Sequence, residues 1–291
     1  MPEQLTPPPY IPQPADALLG EAIQDLMAAH EVMKAGAKCP GIPTGLPTLD
    51  RNFGGLQEGM FLLGAAPGVG KTRMALAIAR NAAKEGFPVL YLTADEGARR
   101  LALRLACMDA GIKLSDLTLG KDPSNLQSYK STNPEILKRI SIMEAQRVDP
   151  SSLGEQLADR IKQAGSRMGL LVVDYVQALA SAYNMEMRQA VGQIAVDIRA
   201  AAISCKSPAL VISAISRSGY KDPTMANLRE TSALEYSADG IWMIREDEDA
   251  PVSPPMQALM LGIEKNRWGA KGIDIPLVVD ASIGTIAEKN R

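Results

Sequence analysis

Hydrophobic positions from residue 41 onward alternate between short continuous runs and stripes with helical spacing. The continuous runs predict buried strands at Met60–Leu63, Val89–Leu92, Leu170–Val173 and Ala209–Ile212. The stripes, with apolar residues three and four positions apart, predict helices at Lys71–Glu85, Ala98–Ala110, Leu153–Ala164 and Glu186–Cys205. Strands that alternate with helices predict an α/β fold built on a doubly wound, mostly parallel sheet.

The C-terminal part of the chain has a different pattern. Two apolar segments, Leu259–Glu264 and Ile273–Val279, flank the short sequence NRWGAKG, which predicts an antiparallel β-hairpin. Residues 113–133 are polar with scattered glycine and proline, and we expect them to form a surface loop.

The N-terminal part predicts an arm and a linker ahead of one domain. Residues 1–14 contain six prolines, which exclude a helix and predict a disordered arm. An apolar stripe over residues 15–36 predicts an amphipathic helix, so that residues 15–40 form a linker before a domain at 41–291. The stripe requires a packing partner, which is either the chain's own domain or a neighbouring subunit.

Composition and charge exclude several classes of function. With 31 basic and 33 acidic residues the net charge is −2, which argues against binding of nucleic acid through a polybasic tail but leaves room for a narrow basic groove. Aromatic residues make up 4% of the chain, too few to form a surface on which successive nucleic-acid bases stack against aromatic side chains. Three widely spaced cysteines and a single histidine, His30, exclude a disulfide framework and a zinc site rich in histidine. We expect a cytoplasmic protein without a membrane span, because the strongest apolar run, Leu170–Val173, is far shorter than a bilayer requires.

A phosphate-binding pattern gives the strongest chemical signal. The sequence GAAPGVGKT at Gly64–Thr72 matches G-x-x-x-x-G-K-[ST] between a predicted strand and a predicted helix. Glycines allow backbone N–H groups to approach phosphate, and the helix N-terminus adds partial positive charge. Lys71 is expected to reach the β- and γ-phosphates of ATP, and the Thr72 hydroxyl to bind Mg²⁺. The predicted nucleotide-binding residues are Gly64, Ala65, Ala66, Pro67, Gly68, Val69, Gly70, Lys71, Thr72 and Arg73.

Carboxylates follow two other predicted strands. Asp174 ends the strand in LLVVDY, at the sheet edge where α/β proteins bind ligands, and is the second predicted Mg²⁺ ligand. Asp95 and Glu96 follow the strand in VLYLTADEG, and either could be the general base that activates water for hydrolysis. Their position just before the helix at Ala98 also suits helix capping, so both roles stay open.

Several segments, taken in order, resemble motifs of the DnaB-family replicative helicases, in their RecA-like C-terminal motor domain. The segments are GIPTGLPTLDRNFGGLQEG, GAAPGVGKT, VLYLTADEG, LLVVDYVQAL, PALVISAISRS, NLRETSALEYSADGIWMIRED and LGIEKNRWGAKG. The phosphate-binding pattern alone is specific, and the order and spacing of the others extend that specificity over most of the chain. The resemblance implies a RecA-like P-loop NTPase fold and ATP-dependent DNA unwinding in replication.

The same resemblance implies a homo-hexamer or other ring with ATP bound between subunits. In that arrangement Arg267 is an arginine finger for the neighbouring subunit's γ-phosphate, and Lys265 is its companion. Side chains two residues apart on a strand project to the same face. The alternative for both is a solvated hairpin edge, where basic residues are common. The linker helix takes the place of a family helix that docks on the adjacent subunit, and the proline-rich arm stands where the family has an N-terminal domain.

Single-stranded DNA is the substrate that the family implies for the ring channel. By resemblance the DNA-binding residues are Arg217, Lys221, Arg229, Glu230 and Ser232, and an ordinary polar turn is the alternative for Arg217 and Lys221. A few cations repeated around a ring would concentrate positive potential despite the net negative charge. A loader and a primase are the further partners that the family implies.

Two departures from the family pattern bear on activity. Ala214 stands where the family usually has a glutamine that senses the γ-phosphate, and Asp95 aligns with the family's catalytic glutamate. The leading hypothesis is an ATP-dependent DNA helicase or translocase. The alternatives are a RecA-like ATPase of the RadA or KaiC type, acting in recombination or regulation, and a nucleotide-binding scaffold without productive turnover.

Overall fold

The computed structural model describes residues 14–121, 123–145, 148–180, 185–220, 223–228 and 232–289. The predicted proline-rich arm therefore lies, except for its last residue, outside the described residues. Two units divide the chain between Pro40 and Gly41. The first unit contains helix α1 (Ala15–Lys34), in which no residue is buried.

A nine-stranded sheet organises the second unit. Its strands are β1 (Gly59–Ala65), β2 (Val89–Thr93), β3 (Ile140–Glu144), β4 (Leu170–Asp174), β5 (Pro208–Ala214), β6 (Gly240–Glu246), β7 (Met256–Asn266), β8 (Ile273–Asp280) and β9 (Thr285–Glu288). Their order is β3-β2-β4-β5-β1-β6-β7-β8-β9; the pairs from β3 to β6 are parallel and those from β6 to β9 are antiparallel. The mostly parallel α/β sheet and the C-terminal hairpin predicted from the sequence are confirmed.

Helices cover both faces of this sheet. They are α2 (Pro47–Phe53), α3 (Lys71–Lys84), α4 (Ala98–Ala110), α5 (Leu114–Thr118), α6 (Pro123–Thr132), α7 (Pro134–Arg139), α8 (Leu153–Ala164), α9 (Val176–Ala180), α10 (Met187–Ser204) and α11 (Ser232–Ser237). Along β1, Phe61 and Leu63 join one hydrophobic core, whereas Met60 and Leu62 join the other. Burial on both faces explains why the sequence of β1 is continuously apolar.

The predicted surface loop at residues 113–133 is wrong, because this segment contains helices α5 and α6. Tyr129 is buried, and its hydroxyl donates to Asp109 Oδ2 at 2.8 Å. The same carboxylate contacts Arg80 and Lys84 of α3, at 2.5 and 2.6 Å. This shared contact holds α6 against α3 and α4, and a polar sequence does not reveal it.

Strands β3, β6 and β9 have no counterpart among the predicted strands. Strands β3 and β9 lie at edges of the sheet, and their residues are only partly buried or exposed. A half-covered strand carries a weaker apolar signal than a central one, which explains why the pattern did not predict these two. Strand β6 is central and buried, so its apolar run at residues 241–244 is a signal that the prediction overlooked. Across the part of the chain that the structure describes, no helix has both the length and the apolar character needed to cross a bilayer.

Candidate functional site

The carboxyl ends of strands β1, β2, β4 and β5 meet at one edge of the sheet. A cleft of about 710 Å³ opens there, where open α/β sheets bind ligands. Its lining residues are Pro67, Gly68, Gly70, Lys71, Thr72, Arg73, Asp95, Arg104, Asp174, Tyr175, Gln177, Ala178, Met187 and Ala214. The fold therefore brings the phosphate-binding loop together with Asp95 and Asp174, which are distant in sequence.

The loop between β1 and α3 has the backbone geometry that phosphate binding requires. Gly68 and Gly70 adopt φ values of +83° and +123°, which residues with a Cβ rarely adopt. Lys71 begins α3, and its Nζ donates to the carbonyl oxygens of Ala65 at 2.8 Å and Ala66 at 3.0 Å. The lysine ammonium group is thus held over the loop, beside the N-terminus of a helix that favours anions.

Charged groups of both signs surround this loop. Burial lowers the pKa of Lys71, and the nearby carboxylates of Asp174 and Asp95 oppose that effect. Asp174 is 4% exposed, and burial raises its pKa against hydrogen bonds with Thr72 and Tyr91 that lower it. The two carboxylates therefore lie close enough to interact with the lysine charge.

Thr72 and Asp174 form an oxygen pair that suits Mg²⁺. The Thr72 hydroxyl lies close enough to the Asp174 carboxylate to lower its pKa, which brings two hard oxygen donors together. At phosphate sites Mg²⁺ is bound by one or two protein groups together with phosphates and water. Among the described residues there is no group of three or more His, Cys, Asp or Glu side chains that could form a closed metal cage. The donor set fits a Mg²⁺ ion held jointly with a nucleotide.

A tyrosine that sequence reasoning missed lies beneath Asp174. Tyr91 is on β2 and fully buried, and its hydroxyl donates to Asp174 Oδ2 at 2.8 Å. Burial raises the pKa of Tyr91 well above its ordinary value, so the hydroxyl keeps its proton and remains a donor. Groups of this kind orient the side chain that binds a metal.

Tyr91→Phe is expected to weaken the Mg²⁺-dependent part of nucleotide binding about tenfold or more, because groups that orient a metal ligand contribute about 10–100-fold to metal affinity. The measurement is the affinity for a fluorescent ADP analogue with Mg²⁺ and with EDTA. Tyr129→Phe is the matched control, since it also removes a hydroxyl that donates to a carboxylate at 2.8 Å, but at Asp109. Equal Mg²⁺ dependence in the two variants would contradict a role for Tyr91.

The two carboxylates after β2 have different surroundings. Asp95 lines the cleft. Glu96 contacts Arg100 and Arg104, each at 2.9 Å, and its side chain is 18% exposed. These arginines follow Glu96 by four and eight residues, a spacing that places them on one helix face and that could have predicted the cluster. Asp95 is thus the carboxylate that is positioned to meet a ligand.

Two arginines add positive charge to the cleft. Arg73 donates from Nη1 to Gln257 Oε1 at 3.2 Å, and its pKa is lowered by burial and then by nearby Arg104. Arg104 lines the cleft while it is paired with Glu96, and sequence reasoning missed it. Several cations around one cleft favour a ligand with several negative charges.

Gln177 connects the cleft to the end of β5. Its Oε1 accepts a hydrogen bond from the backbone N–H of Ala214 at 3.1 Å, and its Nε2 donates to Ser213 Oγ at 2.9 Å. The side-chain amide of Gln177 therefore lies beside Ala214, the position at which the family usually has a glutamine.

The two predicted trans-acting cations lie near the amino ends of strands β1 and β6, opposite the carboxyl ends where the cleft opens. The Nζ of Lys265 donates to the carbonyl oxygen of Glu235 at 2.7 Å, and the Nη1 of Arg267 contacts Asp239 Oδ1 at 2.6 Å. Asp239 precedes β6, which runs parallel to β1. The length of β1, about 20 Å for its seven residues, separates this end of the strands from the chain's own phosphate-binding loop. Neither cation belongs to the residues that line the described cleft.

Only part of the predicted DNA-binding set can be located. Arg217 is exposed in a short helical turn, Arg217–Gly219, that follows β5. Lys221, Arg229 and Glu230 lie outside the described residues, and Ser232 is the first residue of α11. Arg217 is a cation next to a strand end that lines the cleft, a position from which it can meet a polyanion.

Comparison with known proteins supplies the family. Residues 41–286 match the family of the DnaB-like helicase C terminal domain. The chain belongs to this family. The replicative DNA helicase DnaB of Geobacillus stearothermophilus is 31% identical to this DnaB-like chain over 255 residues, which cover 80% of the chain and 53% of the relative. The chain thus spans about half the length of the curated relatives it matches.

Solved structures share the DnaB-like fold. One ATPase domain has a TM-score of 0.81 at 22% identity and covers 96% of this chain and 100% of its own. A second structure, that of a DnaB-like replicative helicase and its interactions with primase, has a TM-score of 0.75 at 21% identity. The match covers 97% of this chain and 68% of the helicase chain. The predicted RecA-like fold and the resemblance to the DnaB family are confirmed.

Proposed function

We propose that this DnaB-like chain is the ATP-hydrolysing motor of a DNA helicase or translocase that assembles as a ring, hexameric as is typical of the family. The supporting observation is that the proposed catalytic groups are divided between the two ends of the parallel strands. The nucleotide cleft lies at the carboxyl ends of the parallel strands, and Lys265 and Arg267 lie at the other end. Head-to-tail copies would join the two halves at each interface between neighbours, here called the seam.

Within one copy the phosphate-binding loop holds ATP. Backbone N–H groups of the loop and the N-terminus of α3 bind phosphate oxygens, and Lys71 adds a charge at the β- and γ-phosphates. Thr72 and Asp174 would hold Mg²⁺, which neutralises charge on the phosphates when it is bound. Tyr91 keeps the Asp174 carboxylate oriented.

Asp95 is the proposed general base. Its carboxylate lines the cleft near Lys71, where it can orient a water toward the γ-phosphate and accept its proton. Glu96 is held by Arg100 and Arg104, so we assign it to positioning of the arginine that lines the cleft.

Asp95→Asn is expected to lower ATP turnover about 10²-fold or more with nucleotide affinity retained, because general-base catalysis contributes at least that much. Phosphate release and nucleotide titration measure the two quantities. Glu96→Gln is the matched comparison, since it removes the same charge one residue away, and it is expected to cost less. A larger loss in Glu96→Gln would reverse the two assignments.

Contact with single-stranded DNA is proposed for the loops at the end of β5 and before α11. Arg217 follows β5, whose last residue is hydrogen-bonded to Gln177 in the cleft. That connection supports a coupling between the nucleotide and the DNA loop. Lys221, Arg229, Glu230 and Ser232 are proposed as further DNA contacts. Backbone-directed contacts of this kind would make binding independent of DNA sequence.

Helix α1 is proposed to dock as a linker on an adjacent copy. Leu19, Leu26 and Met27 are exposed by 61%, 70% and 65%, which leaves an apolar helix face in need of a partner. A solved DnaB-like relative interacts with primase, so a primase is a candidate partner here, as is a loader. DNA as the substrate carries the further expectation of a cytoplasmic location.

Unwinding of a forked duplex, with ATP turnover measured in the presence and absence of single-stranded DNA, tests the proposed function. A helicase is expected to unwind the fork and to hydrolyse ATP faster with DNA. Stimulation without unwinding would favour a RecA-like ATPase with another task. ATP binding with neither effect would favour a nucleotide-binding scaffold. Ala214, which stands where the family usually has a glutamine, is the feature of this chain that would fit such an outcome.

A further inference from the structure

A buried aspartate lies at the sheet edge opposite the nucleotide cleft, between two arginines. Asp239 is 1% exposed. Its Oδ2 contacts Arg199 Nη1 at 2.6 Å, and its Oδ1 contacts Arg267 Nη1 at 2.6 Å. A carboxylate buried to this degree requires charged partners, and both of them come from elements distant in sequence. We call these three residues the Asp239 cluster.

The carboxylate of Asp239 is also fixed to β1, the strand that leads to the phosphate-binding loop. The backbone N–H of Met60 donates to Asp239 Oδ2 at 3.0 Å, and the backbone N–H of Asp239 donates to the carbonyl oxygen of Met60 at 2.7 Å. Gly59 is required at its position, because a Cβ there would lie 2.3 Å from Asp239 Oδ2. The aspartate therefore has little freedom to rotate.

Arg267 is bound to Asp239 through both its backbone and its side chain. Its backbone N–H donates to the carbonyl oxygen of Asp239 at 2.9 Å, in addition to the contact from Nη1. The arginine side chain nevertheless remains 46% exposed. Lys265 is anchored differently, on the carbonyl oxygen of Glu235. The two cations thus have separate acceptors: Lys265 is within reach of the charge of Asp239, but among the two only Arg267 is in direct contact with that carboxylate.

We propose that Asp239 is the positioning residue for Arg267. It holds one nitrogen of the guanidinium and leaves the remaining N–H donors directed at a phosphate of the ATP bound by the adjacent copy. This assignment rests on the proposed function. A guanidinium carries five N–H donors in a rigid fork, so occupation of one nitrogen leaves others for a second anion. Because one carboxylate is shared by Arg199 and Arg267, the cluster keeps a net positive charge. Asp239 therefore orients the Arg267 side chain without cancelling the positive charge that a phosphate would meet.

Asp239→Asn, which keeps the size of the side chain and removes its charge, tests this role in a double-mutant cycle with Arg267→Ala. Alone, Asp239→Asn is expected to lower kcat about tenfold to hundredfold with KM and nucleotide affinity unchanged, because displacement of a catalytic group by about 1 Å has effects of that size. In the Arg267→Ala background the same substitution is expected to change kcat less than about twofold, since no finger is left to position. Equal losses in both backgrounds would overturn the proposal.

Asp109→Asn is the matched control, because Asp109 is likewise a buried carboxylate between two basic side chains, Arg80 and Lys84. It is expected to lower the melting temperature without a change in kcat. If Asp239→Asn does not fold, Asp239→Glu takes its place in the same cycle, since it keeps the charge and moves the carboxylate by one methylene. A wild-type protein without ATP turnover would defeat the proposed function and this assignment with it, whereas wild-type turnover with an additive cycle would defeat this assignment alone.

Discussion

Lys71→Ala is expected to weaken ATP binding about tenfold to hundredfold and to lower turnover by about 10²-fold or more. The ammonium group lies over the phosphate-binding loop, at hydrogen-bond distance from the carbonyl oxygens of Ala65 and Ala66. Its loss removes charge-assisted hydrogen bonds to the β- and γ-phosphates, which strengthen as charge develops during transfer. Titration with a fluorescent ATP analogue and steady-state phosphate release measure the two effects.

Lys138→Ala is a suitable control for the loss of one positive charge. Its side chain is 71% exposed and pairs with Glu135 at 3.1 Å on the surface of α7. Exposed pairs of this kind contribute little to stability, so binding and turnover are expected to stay at wild-type values. Wild-type turnover in Lys71→Ala itself would show that the loop is not the nucleotide site.

The phosphate-binding loop could be predicted from the sequence because its geometry is local. Gly68 and Gly70 supply positive φ values within a few residues of Lys71, and the adjoining strand and helix have unambiguous periodicity. Asp174 is predictable for a similar reason, since a buried apolar strand that ends in a carboxylate marks the ligand-binding edge of a parallel sheet. In these cases neighbours in sequence determine the geometry.

The contacts of Lys265 and Arg267 could not be predicted, because they depend on the register between strands. Strands β6 and β7 pair with a shift, so that Ile241 lies opposite Lys265 whereas Trp242 lies opposite Ile263. This irregularity precedes both cations, and β7 ends at Asn266, so Arg267 lies beyond the strand and the alternation of side chains along a strand does not apply to it. The spacing of two residues predicted a shared face, and the separate acceptors of the two cations follow only from the folded edge.

The misassigned segment at 113–133 shows the limit of reasoning from polarity. Most of its side chains are exposed, so the apolar stripe that signals a helix is faint. Among the described residues of this segment Tyr129 alone is deeply buried, and its helix is held by the carboxylate of Asp109, which comes from an earlier element. Tyr91 was missed for the same physical reason: on a central strand it has the pattern of a core residue, and only the position of Asp174 gives its hydroxyl a role.

Arg267→Ala is expected to lower ATP turnover about 10³-fold or more while ATP affinity stays within about threefold. The reason is positional, because this side chain lies at the sheet edge opposite the chain's own cleft and would meet ATP only across the seam. Nucleotide titration and phosphate release at saturating ATP separate the two quantities. Arg245→Ala is the matched control, since Arg245 also contacts an aspartate, Asp274, at 2.6 Å, and its loss is expected to leave turnover unchanged.

Mixing Arg267→Ala with Lys71→Ala subunits distinguishes action across the seam from action within one copy. The first variant keeps an intact phosphate-binding loop, and the second keeps an intact arginine. In a mixed head-to-tail ring at equal proportions, about a quarter of the seams combine the two intact halves, so turnover is expected to return although each variant alone is inactive. If both residues served the same copy, no mixed ring would contain a complete site. Mixed rings that form and stay inactive, or an Arg267→Ala protein that hydrolyses ATP normally, would therefore remove the seam from the mechanism.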